Sequence, residues 1–225
     1  STRRIAGSKR AKANCLNMAE NSAISKIDTV IFDIGNVLYR WDLRCLFAKL
    51  IDDPEELDWF LAHVVTPEWH FQHDAGRPFA DMVAERSREF PEYSDHIIAY
   101  SRRFPETIPG PVDAMPDIVR ALANRGVPLF AISNFGAESW AQFRPSAPIF
   151  DLFSDIVISG EEKLIKPDAA IYELALKRFS RRADQCLFID DRLDNIEAGQ
   201  ALGIAGHHFQ DATTLEQQLK ALRLL

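Results

Sequence analysis

Five short apolar runs, at residues 29–33, 128–133, 156–159, 185–190 and, more weakly, 204–209, are separated by stretches with helical periodicity. Strands that alternate with helices of ten or more residues are joined by right-handed crossovers and build a parallel sheet, which narrows the fold class to α/β. The helical stretches are 113–125, with apolar Met115, Ile118, Val119 and Leu122; 169–179, with Ile171, Leu174, Ala175 and Phe179; 195–202; and 213–224, with Leu215, Leu219 and Leu222 on one face. Gly126 and Gly203 stand where helices of this kind stop. Four of the five runs end on a polar residue: Asp33, Ser133, Ser159 and Asp190. In a parallel sheet such ends gather along one edge, where ligands bind near the topological switch point.

Residues 41–111 break the alternation. They show helical periodicity at 43–51, 54–65, 79–90 and 94–104 and no strand, which predicts a helical insertion after the first strand, closed by Pro109-Gly110-Pro111. The expected organisation is a basic, disordered or leader-like extension over 1–26, an α/β core over 27–40 and 112–225, and the helical insertion over 41–111. The chain has 225 residues, 47% of them hydrophobic, enough for a solid core. The formal charge is −7, of which 1–26 carries +5 and the remainder −12, so the body lacks the positive surface a nucleic acid requires. No run of apolar residues reaches the length of a membrane span. Three cysteines, Cys15, Cys45 and Cys186, support neither a disulfide framework nor a zinc site, and a reducing cytoplasm is the expected compartment.

Four polar clusters sit at the strand ends. Asp33-Ile34-Gly35-Asn36 places a carboxylate just past a buried strand, where it either caps a turn or acts as a nucleophile once cations neutralise it and its target. Ser133-Asn134 with Gly136 is either an ordinary turn or a cradle for phosphate oxygens. Lys166 precedes the helix-start signal Pro167-Asp168, so it is either a solvated surface charge or a cation placed to neutralise a carboxylate and a phosphoryl group. Asp190-Asp191 are adjacent acids at the end of an apolar strand, either capping the next helix or, with water, holding Mg²⁺.

In this order and spacing, the four clusters resemble the haloacid dehalogenase superfamily of aspartate-nucleophile hydrolases, over residues 27–225. Within it, the motifs at 32–37, 69–76 and 188–195 are similar to the bacterial glucose-1-phosphate phosphatase-like subgroup. The resemblance implies a Rossmann-like parallel sheet with a C1-type helical cap inserted after the first strand. It implies a Mg²⁺-dependent phosphatase acting on a small phosphorylated substrate, such as a hexose 1-phosphate, through an aspartyl phosphate on Asp33. Ser133 and Asn134 would orient the phosphate and Lys166 would neutralise charge. Asp33, Asp191 with Asp190 beside it, and the Gly35 carbonyl would hold the metal. Asn36, Arg40, Trp41, Trp69, His70 and His73 are the candidate substrate contacts. A monomer or homodimer is expected.

One position departs from the pattern. Gly35 stands where phosphatases of this superfamily usually carry a second Asp as general acid and base, and a glycine cannot transfer a proton. A sugar 1-phosphate, whose anomeric hydroxyl leaves readily, would suffer least from that loss; Asp42, His70, His73 and Asp74 are the candidates to replace it. Two alternatives remain at the level of sequence: a 2-haloacid dehalogenase in which Asp33 attacks carbon, against which the acidic pair argues, and a non-catalytic relative that binds a phospho-metabolite or a protein.

Overall fold

The computed structural model describes residues 27–225; the basic segment 1–26, with the expectation attached to it, lies outside the described residues. Strands β1 (Thr29–Phe32), β4 (Leu129–Ser133), β5 (Asp155–Ile158), β6 (Cys186–Asp190) and β7 (Ala205–His208) form one parallel sheet in the order β5-β4-β1-β6-β7. The β1, β4 and β6 residues are all buried, which is why these strands read as unbroken apolar runs rather than alternating ones. Register is continuous across the centre: Val30 lies opposite both Leu129 and Leu187. The chain moves outward from β1 through β4 to β5, then returns to the other side of β1 as β6 and β7. The switch point therefore falls between β1 and β6, the strands that lead into Asp33 and end on Asp190.

Helices α6 (Met115–Asn124), α9 (Ala169–Phe179), α10 (Leu193–Ala201) and α11 (Ala212–Ala221) cover the sheet. The apolar face of α6 is the one its spacing predicts, with Met115, Ile118, Val119 and Leu122 all buried. On α9 the buried set is Ile171, Tyr172, Ala175 and Phe179, so Tyr172 takes the place expected of Leu174.

Between β2 (Tyr39–Arg40) and β3 (Gly110–Pro111) the chain is helical: α1 (Arg44–Phe47), α2 (Pro54–His63), α3 (Pro67–Asp74), α4 (Phe79–Glu89) and α5 (Ser94–Arg102). The first expected helix shrinks to one turn. Helix α3 was not among those the sequence predicts, because Trp69-His70-Phe71-Gln72-His73-Asp74 offers no apolar stripe. Its start was nonetheless signalled: Thr66 caps it by accepting the Trp69 N–H, with Pro67 at the first position. A second difference is β3 itself, which pairs antiparallel with β2, Tyr39 opposite Pro111, and so draws the two ends of the insertion together. Two-residue strands are too short to leave an alternating pattern.

The helical layer and the sheet share one apolar cluster running from Val30 and Phe32 to Phe60, Met82 and Tyr100. Three polar contacts add to this. Ser159 Oγ donates to the Asp74 carbonyl at 2.6 Å, Gln142 Nε2 to the Ser101 carbonyl at 2.8 Å, and the Phe79 N–H to Glu138 Oε1 at 3.1 Å. Helix α7 (Ala137–Phe143) and the single turn α8 (Ser159–Glu162) supply or adjoin the main-body side of these contacts.

Candidate active site

The ladder between β1 and β6 extends one residue past β1, with the Asp33 N–H donating to the Ile189 carbonyl at 2.8 Å. Asp33 Oδ1 accepts from Lys166 Nζ at 2.7 Å and from Ser133 Oγ at 2.8 Å. The same ammonium reaches Asp190 Oδ2 at 2.6 Å. Lys166 is thus a buried bridge between the ends of β1 and β6, its side chain 1% exposed. Asp190 is further held through Oδ1, which accepts the Arg192 N–H and the Asn195 side-chain amide. Asn195, for which the sequence suggested no role, is itself fixed by the Tyr172 hydroxyl, which donates to its carbonyl at 2.8 Å.

Asn134 is placed differently from its neighbour. Its Oδ1 accepts the Lys166 N–H at 2.8 Å and its Nδ2 donates to the Lys166 carbonyl at 2.9 Å, so the amide grips the lysine backbone with both ends. This contact joins residues 32 apart in the chain, and no local pattern signals it. Removing it in Asn134→Ala leaves two backbone groups of a buried residue without partners. The expected result is a loss of about 1–3 kcal/mol in urea or thermal unfolding, with a fall in turnover as the ammonium loses its fixed position.

Three carboxylates face this one ammonium. Burial, opposed by Lys166 and assisted by Asp190, pushes the Asp33 carboxyl up to about 7. Burial and Asp190 also hold Asp191 above the usual carboxylate range. Burial alone would lower Lys166, but Asp33 and Asp190 outweigh it and raise the ammonium above its ordinary value. The cluster is short of positive charge. One oxygen each from Asp33, Asp190 and Asp191 lies within 4.8 Å of the others, and an all-carboxylate set suits a hard divalent cation such as Mg²⁺. These residues therefore fit a metal of that class. At Gly35 a Cβ would approach nothing closer than Asp33 Oδ2 at 4.0 Å, so the missing side chain reflects no shortage of space.

Asp33, Ser133, Lys166 and Asp191 line a cavity of about 360 Å³, with Asp190 buried behind them. Of the candidate substrate contacts, Asn36, Arg40, Trp41 and His70 line it, whereas Trp69 and His73 do not. The division follows from α3: His70 and Asp74, four residues apart, share the face toward the cavity, and Trp69 and His73 share the next. Trp69 is buried near Tyr100, ring centroids 5.7 Å apart. His73 is wedged between the Phe79 ring at 3.6 Å and Gly136, where a Cβ would lie 2.0 Å from the imidazole. Arg40 is ion-paired with Asp113, and Asn36, in the left-handed region at φ 54°, accepts the Trp41 N–H on its side chain. The wall also contains Ile34, Phe71, Phe104, Ile108 and Phe135, which the sequence reading did not single out.

Fold and site together define a Rossmann-type α/β protein whose buried acids and bridging lysine sit at the carboxyl ends of its central strands. The family model described as haloacid dehalogenase-like hydrolase matches residues 27–203, and the chain belongs to that family. It is 29% identical over 192 residues to sesquiterpene phosphatase astK of Aspergillus oryzae, covering 85% of this chain and 94% of that one. It is 31% identical over 103 residues to phosphoglycolate phosphatase of Pectobacterium atrosepticum, 43% of this chain and 44% of the other. Two further curated relatives are longer proteins, of which the chain spans 36% and 19%. Among solved structures, a HAD family enzyme of Bacteroides thetaiotaomicron in complex with magnesium and inorganic phosphate superposes with a TM-score of 0.63 at 20% identity, covering 84% of this chain and 98% of that one. Among the described residues no helix is long and apolar enough to cross a membrane.

Proposed function

We propose that this hydrolase is a Mg²⁺-dependent phosphatase that forms an aspartyl phosphate on Asp33. The observation that carries the reading is the Lys166 ammonium shared between Asp33 and Asp190, with Asp191 close enough to complete an acidic metal site. Asp33, Asp191 and the Gly35 carbonyl would hold Mg²⁺, with Asp190 beside them. When bound, the ion supplies the positive charge the cluster lacks and draws electron density from the phosphoryl oxygens. Asp33 attacks phosphorus while Lys166 neutralises the equatorial oxygens and Ser133 fixes the carboxylate's orientation. Helices α1–α5, within the expected cap at 41–111, close the site from bulk water. The names of two relatives, a sesquiterpene phosphatase and a phosphoglycolate phosphatase, support phosphate-ester chemistry.

For the leaving group, the wall favours an apolar one. Trp41, Phe71, Phe104, Ile108 and Phe135 surround the cavity, while Arg40, Asn36 and His70 already have partners. A hexose would leave several hydroxyls unmatched against such a wall, and the sesquiterpene phosphatase likeness points the same way. The second reading, a hexose 1-phosphate, draws on Gly35, because an anomeric hydroxyl least needs the absent acid. Inorganic phosphate release from prenyl and linear alkyl monophosphates, hexose 1-phosphates and hexose 6-phosphates, with and without Mg²⁺, separates the two. The expected outcome is Mg²⁺-dependent turnover with kcat/KM highest for the apolar esters; preference for hexose 1-phosphates transfers the assignment to the second reading, and no release from any ester overturns both.

A further inference from the structure

The reaction needs a proton at the leaving oxygen, and Gly35 cannot deliver one. A different carboxylate lines the same cavity as Asp33 and Asp191. Asp74 is 5% exposed, lines the cavity, and its Oδ1 is buried without a hydrogen-bond partner. Its other oxygen, Oδ2, lies 3.2 Å from His70 Nε2. His70 Nδ1 in turn meets the Tyr100 hydroxyl at 2.5 Å, and the Trp41 ring stacks on the imidazole at 4.7 Å. Burial holds the Tyr100 phenol well above its ordinary pKa, so it stays a hydroxyl and can donate to Nδ1, which leaves the imidazole hydrogen on Nε2 facing Asp74. No Lys or Arg ion pair reaches this carboxylate among the described residues. A buried polar oxygen without a partner is costly unless a ligand supplies one.

Asp74 is also fixed relative to the sheet. Although it belongs to the helical insertion, its carbonyl accepts from Ser159 Oγ of the main body at 2.6 Å. Trp41 adds a second unmatched group to the same wall, its indole Nε1 being buried without an acceptor. Two residues of the same wall thus each hold one buried polar atom without a partner, an acceptor on Asp74 and a donor on Trp41.

Resting on the phosphatase reading above, we infer that Asp74, oriented by His70 and Tyr100, is the general acid and base of this enzyme in place of the acid absent at Gly35. As Asp33 forms its bond to phosphorus, the bond from phosphorus to the leaving oxygen breaks, and that oxygen takes the electron pair and the proton from Asp74 Oδ1. Asp74 is left as a carboxylate facing His70. Water then enters from the side the alcohol has left, gives its proton to Asp74 and its oxygen to phosphorus, and the bond to Asp33 breaks to release phosphate. The same group serves both steps because leaving oxygen and attacking water occupy the same side of phosphorus. Asp74 is here a catalytic residue; His70 and Tyr100 are positioning residues.

The test is leaving-group dependence. Asp74→Asn is expected to lower kcat/KM for an alkyl phosphate by about 10²–10⁴-fold, the worth of a positioned acid, and for 4-nitrophenyl phosphate, whose leaving group needs no proton, by less than about tenfold. The loss should appear in kcat rather than KM. Tyr100→Phe should give a smaller loss with the same dependence, and adding Gly35→Asp to Asp74→Asn should return part of the alkyl phosphate activity. Should Asp74→Asn not fold, judged by its thermal melt, the wild-type enzyme carries the test: across a series of aryl and alkyl phosphates, rates that fall only weakly as the leaving-group pKa rises support the assignment. Equal losses of kcat/KM on both substrates, a change confined to KM, or a steep wild-type dependence overturns it while leaving the phosphatase reading intact. A wild type that releases phosphate from neither substrate overturns both.

Discussion

Asp33→Asn is expected to abolish phosphate release, by at least about 10³–10⁴-fold, the scale on which removing a nucleophile acts, while the protein stays folded. The two halves of that expectation have one cause. Asp33 is the group that would bond to phosphorus, and an amide cannot replace it. Yet Asp33 is also a carboxylate that the fold dislikes in its charged form, since burial and the nearby Asp190 push it up to about 7. A neutral asparagine is close in shape and charge to the protonated acid. The metal-free native state holds a proton on Asp33 that the unfolded chain, titrating near 3.8, has released by neutral pH. Wild-type stability therefore falls as pH rises from about 4 to 7, and the variant lacks that term. Thermal melts in EDTA should show the variant gaining on the wild type across this window and no further above it. Activity that persists in the variant would remove Asp33 from the chemistry; a variant that gains nothing on the wild type, or loses ground to it, as pH rises across this window would show that the lysine already neutralises the cluster.

What the sequence disclosed depended on range. The strands β1, β4 and β6 are legible because each is buried on both faces, and Asp33 just past β1, Ser133 ending β4 and Asp190 ending β6 are legible because a polar residue closing such a run can only lie at the sheet edge. Lys166 was readable as a cation near a helix start; that both ends of the Asn134 amide hold it was not, since that contact has no local pattern. Helix α3 was hidden for a related reason. Its faces pack against two different surroundings, Trp69 and His73 toward the helical layer and α7, His70 and Asp74 toward the cavity, so neither face is plainly apolar. Tyr100, the hydroxyl that meets His70, stands thirty residues further on in a helix whose own periodicity marks it only as core.

Lys166→Met is expected to be the most destabilising of these changes, and Mg²⁺ should recover much of the loss. The ammonium is the single cation contacting Asp33 and Asp190 among the described residues, and its side chain is 1% exposed against 10% and 0% for the two carboxylates. Breaking a buried ion pair by removing one partner costs about 3–5 kcal/mol, because the other charge is left uncompensated. For a chain of this size that is a fall of about 10 °C in Tm. A methionine fills similar volume, so the loss is electrostatic rather than a cavity. Without the lysine, the three acids that lie within 4.8 Å of one another keep only the more distant Arg192, itself ion-paired with Asp194, and gain more from a bound divalent cation. An ion that binds the native cluster and not the unfolded chain stabilises in proportion to the logarithm of its concentration over Kd. The rise in Tm on adding Mg²⁺ to metal-free protein should therefore be larger in Lys166→Met than in wild type, although turnover remains lost because the phosphoryl oxygens still lack the ammonium. An equal rise in both proteins would mean that the ion sits away from the lysine's acids, and the assignment of Asp33 and Asp191 as its ligands would fall.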